Sequence, residues 1–265
     1  GSEMCIRDRM KCWGWNDKGQ LGRGDTENQG NNADEMGDNL PILDFGGSSL
    51  AVKVKTVCAG TQHKCALLND GSVKCWGRND YGQLGYGDTQ NRGDGAGEMG
   101  DDLPSVDLGS ERSAKSIAAG GYHTCALLYD GSVKCWGGNN YGQLGIGNKF
   151  IGYGKSADYM GDDLPAIDLG SGRSAKSIAA GGYHTCAQLD DGSVKCWGGN
   201  NYGQLGIGNT QNRGDAPHEM GDNLTAVDLG RFDVAEPWPF VPYPCAKMEK
   251  YGFNIDPNRC AARDY

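Results

Sequence analysis

The chain has 265 residues, with 34 acidic against 25 basic side chains and a net charge of −9. That charge is spread along the repeats without a basic stripe, which disfavours nucleic-acid binding, and no apolar run is long enough to span a bilayer. Forty-five glycines would indicate disorder if aperiodic, but they sit at fixed positions and read as turn residues of a folded repeat.

Residues 1–10 stand apart. Gly1-Ser2 resembles a tag-cleavage remnant, and Glu3-Met4-Cys5-Ile6-Arg7-Asp8-Arg9 resembles a translated transposon adapter from a sequencing library. This predicts a foreign start on a gene from environmental DNA, a metagenome, and no function for Cys5. Residues 11–235 form the repeat region, opening on Lys11-Cys12-Trp13-Gly14 and Gly19-Gln20-Leu21-Gly22 and then passing three times through the same parts at a period of about sixty residues. In the middle copy, Ser113 to Gly120 reads as a strand of mostly small residues and Cys125 to Cys135 as a hairpin supplying two more. Gly142-Gln143-Leu144-Gly145 follows, and an acidic loop leads to Leu164-Pro165-Ala166-Ile167-Asp168-Leu169-Gly170, read as a fourth strand or an extended edge. Four short antiparallel strands per unit describe a β-propeller blade, whose faces must be covered by neighbours. Residues 236–265 depart from the repeat. There Glu236 to Pro244 alternates proline with Trp238, Phe240 and Tyr243, predicting an extended strap that lies across the propeller surface and helps complete the last blade.

The hairpins carry the cysteines. Between Cys125 and Cys135, β-favouring residues flank Tyr129-Asp130-Gly131, a three-residue loop whose Gly can turn left-handed. Folding about Asp130 sets the two cysteines opposite each other, at the Cβ separation of roughly 4.5 to 5.5 Å that suits a disulfide. The same symmetry pairs Cys65 with Cys75 and Cys186 with Cys196. Buried thiols are the bland alternative, and a metal site is disfavoured because the ten-residue spacing lacks the tight knuckle of zinc ligands. Persistent bridges predict an extracellular, periplasmic or cell-surface protein.

Comparing Ser113–Asn148 with Ser174–Asn209, only Leu127 (Gln188) and Tyr129 (Asp190) differ. A face that accepts either Leu or Gln is predicted to see water, which leaves Ala126, Leu128, Ala187 and Leu189 for the core. Cys65, Cys125 and Cys186 lie 53, 50 and 51 positions after Cys12, Cys75 and Cys135, and Cys245 lies 49 after Cys196. Four equivalents of the unit are therefore visible. One closure joins Cys12 to Cys245 in a blade shared by the two ends; the other joins Cys245 to Cys260 and leaves Cys12 free or paired with Cys5.

Of the side chains with chemistry, His63, His123 and His184 recur once per unit and are expected to donate to neighbouring backbone carbonyls rather than bind metal. Asp88 to Asp94 and Asn209 to Asp215 are oxygen-rich loops, but they fail the calcium-loop spacing and turn formation explains them. No cofactor is expected, calcium being the one cation these loops suggest. The Arg-Gly-Asp triplets inside them are weak signals of adhesion. No nucleophile elbow or Cys-His nucleophile stands out, so no catalytic residue is assigned and the chain reads as no enzyme.

The run Cys-Trp-Gly-x-Asn-x-Tyr-Gly-Gln-Leu-Gly, with Gly-x-x-His-Thr-Cys-Ala-Leu-Leu-x-Asp-Gly-Ser-Val upstream, resembles the repeat of the regulator of chromosome condensation (RCC1) family, from Lys11 to about Gly230. It is nearest to cysteine-bearing bacterial versions with a Met-Gly-Asp-x-Leu-Pro-x-Val-Asp-Leu-Gly insert. The resemblance implies a β-propeller, usually of seven blades, so the chain is either a four-unit ring or an open fragment with exposed edges. Its members include an exchange factor and an inhibitor of secreted β-lactamases, and function does not transfer with the fold. The expectation is a secreted or surface scaffold for a protein partner, with self-assembly into a fibre or coat, or inhibition of an extracellular enzyme, as alternatives.

Overall fold

The computed structural model describes residues 10–47, 53–149 and 152–230. A compact body ends at Asp228. The predicted strap, with Cys245 and Cys260, and Cys5 at the other end, lie outside the described residues.

Three antiparallel sheets recur. The first blade holds β1 (Val54–Ala59), β2 (His63–Leu68) and β3 (Val73–Gly77); the second β4 (Ala114–Ala119), β5 (His123–Leu128) and β6 (Val133–Gly137); the third β7 (Ala175–Ala180), β8 (His184–Leu189) and β9 (Val194–Gly198). Each blade has three ladder strands rather than four. Of the two readings of the segment at residues 164–170, a fourth strand or an extended edge, the structure shows the edge, which meets the sheet through single contacts such as Ile167 N–H donating to Val133 O over 2.8 Å. Pro104 and Pro165 explain part of this, since neither can donate to a ladder. Register is as the hairpin required, with Cys65, Cys125 and Cys186 directly opposite Cys75, Cys135 and Cys196.

Each sheet has two apolar faces, because strands alternate. Ala126, Leu128 and Trp136 pack back onto Cys65, Leu67, Val73 and Cys75 of the first blade. Cys125, Leu127, Val133 and Cys135 pack forward onto Ala175, Ala187, Leu189 and Trp197 of the third. The core placement of Ala126, Leu128, Ala187 and Leu189 holds, all at most 1% exposed. The water-facing reading of Leu127 does not: it is 0% exposed, because the next blade covers it. Gln188, its counterpart, is exposed on the third blade, whose forward face has no following blade among the described residues. The substitution therefore tracks position in the stack.

Polar links cross each junction. The indoles of Trp76, Trp136 and Trp197 donate from Nε1 to the main-chain oxygens of Gln20, Gln83 and Gln143, each over 3.1 Å. Thr124 and Thr185 donate their hydroxyls to the oxygens of Gln83 and Gln143, at 2.8 and 2.9 Å. Those hydroxyls lie 2.9 Å from Nε2 of His63 and His123. Because each threonine has spent its one proton, the histidine must be the donor, from a neutral ring protonated at Nε2. The expected acceptor, a backbone carbonyl, is thus reached only through a hydroxyl of the next blade. Nδ1 of both rings is buried without a partner.

Burial pulls the pKa of His63 down to about 4 and that of His123 to about 3. The unfolded chain, with histidines near 6.5, binds more protons below that pH, so this stability is whole above about pH 6.5 and falls as pH drops towards 4. Urea unfolding between about pH 6.5 and 5, above the carboxylate range, should show stability falling ever more steeply, towards a limit of about 1.4 kcal/mol per pH unit per fully buried histidine. H123Q should reduce that slope by its own share, His63 and His184 retaining the rest, and a flat profile in the parent protein would contradict the assignment.

Candidate binding surface

The three predicted bridges are present: Cys65–Cys75, Cys125–Cys135 and Cys186–Cys196, each with Cα atoms 4.1 Å apart. The first two are sealed between blades. Cys186 is partly exposed, since among the described residues no blade covers the forward face of the third. Cys12 is buried in the first junction, beside Leu21, Leu43 and Trp76.

His63 and His123 are each tied to a threonine of the next blade, and His63 and His184 lie near enough to His123 to help depress its pKa. Among the described residues no group of three His, Cys, Asp or Glu side chains is placed to hold a metal. In the first acidic loop Asp88 already accepts from Asn79 Nδ2 (3.0 Å), from the Gln90 N–H (2.9 Å) and from Arg92 (2.7 Å). Gly93 and Gly214, at the centre of the Arg-Gly-Asp triplets, are buried in junctions, and a Cβ on either would come within 2.9 Å of the preceding blade's Gly19 or Gly142 oxygen. These triplets are junction pieces rather than exposed adhesion loops.

The acidic insert is also structural. Gly161 N–H donates to Asp107 O, and Lys134 Nζ bridges Leu108 O (2.9 Å) and Gly161 O (2.8 Å). Lys74 and Lys195 repeat this bridge. The Met-Gly-Asp turns at Gly100, Gly161 and Gly221 are thereby pinned to the Asp-Leu-Gly or Asp-Phe-Gly segment of the preceding unit.

The turns ahead of the strands carry a partly exposed row of tyrosines that sequence reasoning passed over. Tyr122 and Tyr183 immediately precede β5 and β8, while Tyr81 and Tyr141 belong to the turns before Gly-Gln-Leu-Gly. The turn of one blade sits beside the strand start of the next: Tyr81 and Tyr122 stack edge-on at 5.3 Å, and Tyr141 and Tyr183 at 5.0 Å. Tyr122 and Tyr183 lie 5.8 Å apart and join the pairs into one ladder. Arg78 covers it, 5.9 Å from the Tyr81 ring and 5.7 Å from Tyr122, with Lys155 5.4 Å from Tyr81. Desolvation first, and the neighbouring phenols second, hold the Tyr183 hydroxyl above its ordinary pKa. Tyr202 continues the series at 94% exposure, with no following strand start among the described residues. The usable signal was the Tyr in Gly-Gly-Tyr-His and in Asn-x-Tyr-Gly-Gln-Leu-Gly, repeated without a core position to explain it.

This aromatic, cation-topped strip has the composition of a recognition surface, with large rigid side chains on a scaffold that cannot shift beneath them. It offers no nucleophile with a paired base.

Comparison with known proteins agrees with the repeat and the fold. A family model described as the regulator of chromosome condensation (RCC1) repeat matches residues 12–67, 70–127, 130–188 and 191–228. The ultraviolet-B receptor UVR8 of Arabidopsis thaliana is 30% identical over 210 residues, 78% of this chain and 41% of the receptor. The probable E3 ubiquitin-protein ligase HERC6 of Homo sapiens is 28% identical over 86% of this chain but only 20% of its own length. Among solved structures, Prp20p of Saccharomyces cerevisiae, studied with its binding to Gsp1p and histones, superposes with a TM-score of 0.56 at 22% identity, covering 83% of this chain and 46% of Prp20p. Human WBSCR16 gives 0.56 at 20% identity, covering 83% and 48%. The chain thus spans less than half the length of these proteins, and at such identities the superpositions speak for the propeller fold alone. With four consecutive repeats matched across most of its length, the chain belongs to the RCC1 repeat family.

Proposed function

We propose that this propeller segment is a non-catalytic scaffold that binds a protein partner through the tyrosine ladder, in an oxidising compartment outside the cytosol. The ladder carries the reading: Tyr81, Tyr122, Tyr141 and Tyr183 with Arg78 are the residue types that dominate interface energetics, gathered in one strip and braced by the blade junctions. The three bridges support the compartment, because such bonds persist where glutathione does not reduce them. The binding properties printed for Prp20p belong to that protein, and they support protein recognition only as a precedent for the fold.

A second reading, head-to-tail association into a fibre or coat, is favoured by the forward face of the third blade. There Gln188 is exposed, and a Cβ on Gly203 would meet nothing within 4 Å, whereas its counterparts Gly82 and Gly142 are covered by the next unit. Sheet faces and edges left in this state recruit further copies.

Affinity capture from a pool of secreted proteins separates the readings. Y122A/Y183A and R78A should each weaken capture of a discrete partner by roughly thirtyfold or more, the loss of about 2 kcal/mol typical of interface anchors. Y129A, at the exposed outer turn, should leave it unchanged. Capture that is equal across all variants, or only of further copies of the chain, would exclude the ladder as the binding surface.

A further inference from the structure

The first blade contains a third cysteine that its sister blades lack. Cys58 on β1 is directly opposite Cys65 on β2, and Cys65 is in turn opposite Cys75 on β3. The equivalent positions on β4 and β7 are Ala118 and Ala179. Directly opposed residues point to the same side of a sheet, so the three sulfurs form a row across adjacent strands. Cys65 and Cys75 are bridged, while Cys58 is a thiol packed against the same junction cluster. Cys75 uses its N–H and C=O outward, on the Tyr86 hydroxyl at 2.8 Å each. Its pairing with Cys65 is therefore the non-hydrogen-bonded kind, in which side chains approach most closely.

The order of the row is what matters for reactivity. Thiol–disulfide exchange needs the attacking sulfur in line with the bond it breaks, on the side opposite the leaving sulfur. By strand order Cys58 lies on the side of Cys65 away from Cys75, the side from which such an attack comes.

We propose that the first blade is a disulfide-exchange site, in which the bridge can pass from Cys65–Cys75 to Cys58–Cys65. Cys58 gives up its proton, and its thiolate attacks Cys65 Sγ. The Cys58–Cys65 bond forms as the Cys65–Cys75 bond breaks, and Cys75 leaves as a thiolate that takes up a proton. No external oxidant or reductant is consumed, and one bridge replaces one bridge. The product clamps the first strand of the blade to its hairpin and frees a thiol on the edge strand beside Tyr86. In the resting protein burial pushes the Cys58 thiol up to about 12, which keeps the exchange slow near neutrality. The second and third blades have no third sulfur and cannot follow this route.

Tryptic cleavage after Lys55, Lys64, Lys74 and Arg78 places the three cysteines on separate peptides, so the bridge is directly readable. The intact protein is incubated without reductant at a series of pH values, quenched in acid, unfolded, blocked with a maleimide, and only then digested. Linked peptides 56–64 and 65–74, with maleimide on Cys75, should accumulate at a rate rising about tenfold per pH unit while pH stays below the thiol's pKa. The C58A variant, which installs the residue of the sister blades, should retain Cys65–Cys75 at every pH. Labelling confined to Cys58 throughout, with circular dichroism showing the folded state, would overturn the proposal. So would loss of the Cys65–Cys75 bridge at the same rate in C58A.

Discussion

Each blade is fixed to the one before it by an indole N–H that reaches a main-chain oxygen across the junction. Trp76, Trp136 and Trp197 are fully buried, and in that setting an unpaired N–H would cost more than the bond contributes. The acceptor, the carbonyl of Gln20, Gln83 or Gln143, is held in place by its own loop. In the second of these loops Asn79 Oδ1 accepts from the Leu84 N–H at 2.9 Å, and Gln83 Oε1 accepts from the Tyr81 N–H at 2.9 Å. The glycines that end the loops follow from the same contact. A Cβ on Gly85 or Gly145 would come 2.7 Å from the incoming indole nitrogen, and both residues have positive φ, so the closing Gly is required twice over. The repeat Cys-Trp-Gly-x-Asn-x-Tyr-Gly-Gln-Leu-Gly is therefore a junction split between its own blade and the next.

A stack assembled this way is stiff where it presents side chains. The tyrosines of the ladder come from the same turns and strand starts that carry the indole and histidine links, so neighbouring blades cannot slide without breaking those bonds. Conversely, the acidic inserts, which look like binding loops in sequence, are tied down along another edge by Lys74, Lys134 and Lys195. Net negative charge is thus largely a property of structural turns, while the strip with exposed aromatic area carries Arg78 and Lys155.

Much of the architecture was legible from one hairpin, because strand register depends on local turn geometry. Tyr129-Asp130-Gly131 fixes which residues oppose which, and the cysteine pairing follows. Features created between blades were harder to read. Leu127 seemed to face water because its counterpart is Gln188, yet burial of a strand face is decided by the neighbouring sheet, some sixty residues away. The same distance hid the threonines that receive His63 and His123. The choice between a fourth strand and an extended edge stayed open in the sequence, because an extended apolar segment next to a sheet has the composition of a strand even when it makes single contacts. Tyr122 and Tyr183 were visible as repeated letters, but only the meeting of two blades makes them a ladder. Cys58 drew no attention because it breaks the repeat, and its meaning depends on its lying opposite Cys65.

The account rests on blades that are stable only as a stack, and the three indole protons report this most directly. Hydrogen exchange followed by NMR should show Trp76, Trp136 and Trp197 Nε1–H exchanging as slowly as the most protected strand amides, through global unfolding. Indole protons that exchange freely while β2, β5 and β8 remain protected would mean that the blades stand without one another, and would contradict it.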